Sequence, residues 1–168
     1  YIVADTREGL SFTLMTRFDT YAKACDLADE QGWNNVSLFQ SEALVYTAPR
    51  PLDGVLFSLS YNTMPHHHAV LRHALSQLRP GGRIVIMDAK LPTGRFGQMI
   101  LPFSLWLMRH TFLGNPLIKP WEDLVKVVDG FEMRNFLFDS YYICRGRKPY
   151  PVASQASTST DAKLEAVS

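Results

Sequence analysis

The chain has 168 residues and a formal charge of +1. That length fits one domain with a sizeable core. Hydrophobic content of 46% and charged content of 20% are ordinary for a globular protein, and the near-neutral balance carries no field that argues for a nucleic-acid partner. Two cysteines, Cys25 and Cys144, make no disulfide framework and no zinc spacing, so the expectation is buried thiols in a reducing cytosol. The chain opens on Tyr1 and an apolar run with no charged leader, which suggests a fragment or a gene that lost its front. No apolar stretch is long enough for a membrane span; Met99 to Leu113 comes nearest and is interrupted by Pro102, Arg109 and His110.

In chain order, Ile2 to Ala4 is a short β-like run ending at Asp5, and Thr6 to Phe18 has no clean period. Asp19 or Thr20 can cap a helix whose face is Tyr21, Ala24, Cys25 and Ala28, with Gly32 ending it. Val36 to Phe39 reads as a strand, and Ser41 to Pro51 as a loop.

The stretch from Asp53 to Asp88 reads as one βαβ unit. Val55, Leu56 and Phe57 form the apolar run of a strand covered on both faces. Pro65 suits a first helical turn, and Val70 or Leu71, then Ala74, Leu75 and Leu78, form the buried stripe. The helix must stop before Pro80. Gly81-Gly82 supplies a turn into a second buried strand, Arg83 to Met87. Such units build parallel sheets with right-handed crossovers, and ligands lie outside the carboxyl ends of the strands. That rule puts the loop Ser58 to Met64 at a site.

Gln98 to Phe112 reads as a helix broken near Pro102. Pro120 at the first helical position begins another, with Trp121, Leu124, Val125 and Val128 inward. Phe131 to Phe138 and Ser140 to Arg145 are two strands that pair antiparallel at one edge. From Pro149 the composition turns to Ser, Thr, Ala, Gln and Lys, so 149–168 is expected to be a disordered tail behind a domain over 1–148.

Four pieces, in this order and spacing, resemble class I S-adenosylmethionine (SAM)-dependent methyltransferases, nearest the ubiquinone/menaquinone-type and phosphatidylethanolamine-type N-methyltransferases. They are Gly32-Trp33-Asn34-Asn35-Val36, Asp53-Gly54-Val55 with Ser58-Leu59-Ser60, Leu78-Arg79-Pro80-Gly81-Gly82-Arg83, and Pro120-Trp121 with Phe136-Leu137-Phe138 and Tyr141-Tyr142-Ile143. The resemblance covers roughly residues 20 to 148. It implies a Rossmann-like, mostly parallel α/β sheet with an antiparallel C-terminal hairpin and helices on both faces. The family's first strand and glycine-rich loop are missing from the pattern, since no GxGxG occurs.

The resemblance also implies SAM as cofactor and a lipid or small-molecule methyl acceptor. Asp5, or else Glu8, would hold the ribose. Ser41-Glu42-Ala43 fills the family's adenine position, which assigns Glu42 and Ala43. Ser58, Leu59 and Ser60 would meet the methionine end, with Tyr61, Asn62 and His66 toward the substrate. No catalytic triad is expected, because methyl transfer needs positioning and desolvation more than side-chain chemistry. Tyr61 is also a candidate for cation–π contact with the sulfonium. Met99 to Phe112 is either a core helix or a lid over a lipid-like substrate that touches a membrane surface. The protein is then cytoplasmic, or peripheral to a membrane.

His66-His67-His68 is expected to hold no metal. Consecutive helical side chains diverge by about 100°, and no carboxylate stands at a useful spacing. The default is a solvated helix start, with one histidine as general base for the acceptor as the sharper alternative. Asp88 either caps the loop Lys90 to Gly97 or reaches the substrate. A rival function is an inactive truncated remnant, or a binding module that lost the cofactor loop. A nicotinamide-dependent oxidoreductase ranks last, because it too needs a glycine fingerprint.

Overall fold

The computed structural model describes residues 2–5, 11–15, 18–91, 99, 102, 106, 118–137 and 139–151. Seven strands form one sheet: β1 (Ile2–Asp5), β2 (Ser11–Met15), β3 (Val36–Gln40), β4 (Leu52–Ser58), β5 (Leu78–Ala89), β6 (Asp129–Phe136) and β7 (Tyr141–Arg147). Their order across the sheet is β3-β2-β1-β4-β5-β7-β6. β2 and β3 pair in parallel, as do β4 and β5. β7 runs antiparallel to both β5 and β6, so the expected C-terminal hairpin closes one edge. The helices described from end to end are α1 (Phe18–Gln31), α2 (His67–Gln77) and α3 (Pro120–Leu124), with a 3-10 turn at Tyr61–Thr63. The fold class read from the sequence is the one observed.

β1 carries the main surprise. A strand does stand between β2 and β4, but it runs antiparallel to both. Its register sets Ile2 opposite Phe57 and Asp5 opposite Gly54. The parallel first strand that would deliver a glycine turn to the site end of the sheet is therefore absent among the described residues.

Several local readings match the structure residue for residue. Gly32 takes φ +64°, and the amides of Gly32 and Trp33 donate to the carbonyls of Asp29 and Ala28, closing α1 as the glycine predicts. Tyr21, Ala24, Cys25 and Ala28 are the half-buried stripe of α1. Pro120 opens α3, and Leu124 is completely buried. Val125, expected inward, is 48% exposed because α3 ends one residue before it. β5 begins at Leu78 and runs through Pro80-Gly81-Gly82, where a turn is expected; the pairing with β4 shifts register there, between Leu52 and Gly54. Gly81, at φ +73°, has the Tyr150 ring where a Cβ would stand.

The core lies on one face of the sheet. Val55, Phe57, Ile84, Ile86, Tyr142 and Cys144 point there and are buried, with Val70, Leu71 and Ala74 of α2 and Leu124 of α3. The opposite face of the same strands, Leu56, Val85, Met87 and Ile143, is half-buried. Both cysteines are free: Cys144 is buried and Cys25 half-buried.

Met99, Pro102 and Trp106 are helical and exposed; the rest of the expected lid lies outside the described residues, as does the expected tail beyond Pro151. No described helix is long and apolar enough to cross a membrane.

Candidate functional site

The carboxyl ends of β2, β3, β4 and β5 all face one end of the sheet, because β2 and β4 are both antiparallel to β1. The chain leaves β4 through Ser58, and Leu59 then turns at φ +48°. The Leu59 amide donates to the Met87 carbonyl at 2.8 Å, which fixes the turn against β5. A leucine in left-handed backbone is strained, and such residues gather at functional sites. Leu59 is 43% exposed, Ser58 half-buried and Ser60 buried.

Beyond Leu59 the chain folds back into the core. Asp88, at the end of β5, receives the amides of Asn62 at 3.0 Å and Ala89 at 2.8 Å. The Asn62 side-chain amide donates to the Ala89 carbonyl at 2.7 Å. Asp88 thus holds the loop after β4, a role different from both alternatives read from the sequence. Burial pushes its carboxyl above the usual carboxylate range, against the amides that pull it down.

Two residues expected to face substrate are therefore interior. Tyr61 is completely buried, edge-on to Phe57 at 5.5 Å and to His67 at 5.4 Å. Desolvation raises its phenol strongly, and the Asp123 carboxylate adds to the effect. Asn62 is 2% exposed. Both corrections have one cause: the 3-10 turn directs the loop inward, and Asp88 supplies the acceptor that makes this stable. His66 is exposed, as a substrate-facing residue would be.

At the tip of β3, Ser41 donates its amide to the Met15 carbonyl at 3.1 Å, so this loop joins the end of β2. Glu42 is exposed and Ala43 half-buried. The Phe39 and Tyr46 rings stand 5.1 Å apart beside them. The loop is tied to α2: Gln77 accepts from the Ala48 amide at 2.6 Å, and His73 Nε2 lies 2.8 Å from the Tyr46 carbonyl. The Tyr46 hydroxyl is buried with no hydrogen bond, and burial raises its pKa. Beneath this loop a cavity of about 20 Å³, walled by Leu14, Ala43, Tyr46, Val55 and Val70, has room for about one water.

Asp5 does not join these groups. Its register opposite Gly54 and Ser11 puts it at the amino end of β4, far along the strand from Ser58. Reversal of β1 is the reason. β2 ends at Met15 and is followed by Thr16 and Arg17; the next acid in the sequence, Asp19, lies in the first turn of α1.

The structure also assembles groups that the linear sequence hides. Lys90, 8% exposed, pairs with Asp139 at 2.9 Å, with its ammonium 5.8 Å from the Trp121 ring centre. His68 Nδ1 lies 3.1 Å from an Asp123 carboxylate oxygen. The sequence shows no carboxylate near the histidine run; packing of α3 beside the start of α2 provides one. The only sequence signals were a lysine ending a buried strand and an acid in the first turn of a proline-started helix.

No family model and no curated protein matches the chain. Solved structures do. The N-methyltransferase NodS from Bradyrhizobium japonicum WM9, in complex with S-adenosyl-L-homocysteine, superposes with a TM-score of 0.60 at 12% identity, over 83% of this chain and 66% of that one. The SAM-dependent methyltransferase SibL gives 0.60 at 19% identity, over 83% of this chain and 43% of its own length. An rRNA methylase from Streptococcus thermophilus gives 0.53 at 14% identity, over 83% and 73%. The chain has the fold of the class I SAM-dependent methyltransferases. It spans less than two thirds of NodS in that complex and under half of SibL.

Proposed function

We propose that the protein is a SAM-dependent methyltransferase, of the ubiquinone/menaquinone or phosphatidylethanolamine type, acting on a lipid or small-molecule acceptor. The observation that carries this reading is the strained Leu59 turn, pinned to Met87 at the carboxyl end of the β4–β5 pair. It stands where ligands bind open α/β sheets.

The residues fit the cofactor at two tips of the sheet. At β3, Glu42 and Ala43 stand with the Phe39–Tyr46 rings and an unpaired buried hydroxyl, a half-apolar, half-polar place suited to a purine. At β4, Ser58 and Ser60 flank an exposed backbone turn suited to an amino-acid end. When bound, SAM supplies an already activated methyl group. The protein's part is to orient it and exclude water, worth up to about 7–11 kcal/mol in well-aligned reactions. Tyr61 contributes by backing the turn through Phe57. His66 is an exposed group able to take a proton from an acceptor amine or hydroxyl. Met99 and Trp106 are exposed apolar groups able to meet a lipid. The working place is the cytoplasm or its membrane surface.

A second reading has an observation of its own. β1 is reversed, so among the described residues no glycine turn offers close backbone approach at the cofactor end. That favours a binding module without catalysis. Calorimetry with SAM, followed by transfer of labelled methyl into a lipid extract and into RNA, separates the two. Weak SAM binding with label in lipid supports the enzyme. Binding without transfer supports the module, and label in RNA alone rejects the lipid acceptor.

A further inference from the structure

We propose that His67, His68 and Asp123 form a binding site for a divalent transition-metal ion of the zinc class. The site stands independently of the methyl-transfer reading. One ring nitrogen of each histidine and one carboxylate oxygen of Asp123 lie within 4.8 Å of one another. His68 Nδ1 and the Asp123 oxygen, 3.1 Å apart, are already near the spacing of two ligands on one ion. Zinc bonds of about 2.0–2.2 Å in a tetrahedron set neighbouring donors about 3.3–3.5 Å apart.

An ion pair between His68 and Asp123 accounts for only part of the geometry. His67 Nδ1 is buried and makes no hydrogen bond. A buried ring nitrogen without a partner is costly, and a cation is a partner for its lone pair. The Tyr61 hydroxyl, on a ring 5.4 Å from that of His67, is likewise buried and unpaired. Electron-rich groups therefore converge here, and no lysine or arginine forms an ion pair with Asp123 among the described residues.

The two rings come together although both residues belong to the helix. α2 starts at His67, and its preceding residue, His66, has φ −116° and ψ 43°, outside the helix. At this first turn the His67 and His68 rings lie 4.1 Å apart, tilted by 42°. His68 is exposed and Asp123 half-buried, so the ion would sit at the surface with its fourth position open to water. It would tie the start of α2 to α3, two elements distant in sequence.

The test is a cobalt(II) titration of the full chain without an affinity tag. Cobalt reports tetrahedral ligation by its visible bands. One saturable site per chain is expected, emptied by zinc. His67→Ala, His68→Ala and Asp123→Asn should each weaken binding by more than the roughly 10–100-fold that losing an outer-shell partner costs. Far-UV circular dichroism checks that each variant is folded; exposed His68→Gln serves as the mildest change should the others unfold. His66→Ala and His73→Ala should bind as the natural chain does. No saturable band overturns the site. So does a band that survives the three substitutions, one lost in His66→Ala or His73→Ala instead, or a thiolate charge-transfer band that puts the ion on Cys25.

Discussion

The two faces of the central strands differ sharply. On one, Phe57, Ile84, Ile86, Tyr142 and Cys144 are wholly buried beneath α2, α3 and the 3-10 turn. On the other, Leu56, Val85, Met87 and Ile143 are only half-buried, and Arg145 is exposed. Continuous apolar runs such as Val55-Leu56-Phe57 and Ile84-Val85-Ile86 predict equal cover on both sides. The cover is unequal because it comes from elements elsewhere in the chain, which a strand's own residues do not specify. The sealed face also carries the loop after β4, so the candidate site is built from the better-packed half of the molecule.

Substitutions that sample each face put this contrast at risk. Phe57→Ala should be the most damaging, costing about 3–5 kcal/mol in a denaturant titration, since the ring is completely buried. Asp88→Ala should cost about 1–3 kcal/mol for each of the two buried amides it orphans. Asp88→Asn keeps an acceptor and should cost less. It should also remove a pH dependence. With the folded carboxyl raised above its unfolded value of about 3.9, this group's stabilisation is full below that value and is lost as pH rises through the folded pKa. A stability profile that Asp88→Asn leaves unchanged would remove Asp88 from that role.

Val85→Ala, on the half-buried face, should cost no more than about 1 kcal/mol, because little apolar area leaves water there. A loss equal to that of Phe57→Ala would mean the faces are equally packed. The smallest effect is chemical. Burial pushes the Cys144 thiol up to about 12, so iodoacetamide at neutral pH should modify Cys25 in the native protein and reach Cys144 only on unfolding. Native labelling of Cys144 would show that the sealed face opens.

What could be read from the sequence was local. Gly32 ending α1, Pro120 opening α3, the stripe Val70-Leu71-Ala74 and the β6–β7 hairpin each depend on chemistry within a few residues. The direction of β1 was not readable, because strand polarity is set by pairing partners and Ile2–Asp5 carries no mark of them. β2 lay in the ambiguous stretch Thr6 to Phe18, where pairing with β1 and β3 supplies the order that periodicity does not. At the site, the loop Ser58 to Met64 was found from the βαβ pattern. The inward course of Tyr61 and Asn62 is not legible locally, because it requires Asp88 and Ala89 from the next strand. Asp123 was missed for the same reason, since its relation to His68 exists only after α3 packs.

The reversed strand also sets how the sheet could come apart. The block of β2, β3 and α1 meets the block from β4 onward along a four-residue seam, Ile2–Asp5. A separate latch runs from His73 and Gln77 to the backbone at Tyr46 and Ala48. The β3 tip belongs to the first block and the Leu59 turn to the second. Slackening the seam would therefore alter the distance between these two tips while leaving each block intact. Native-state hydrogen exchange would register this as early, joint release of β1, β2 and β3, ahead of β4, β5 and β7.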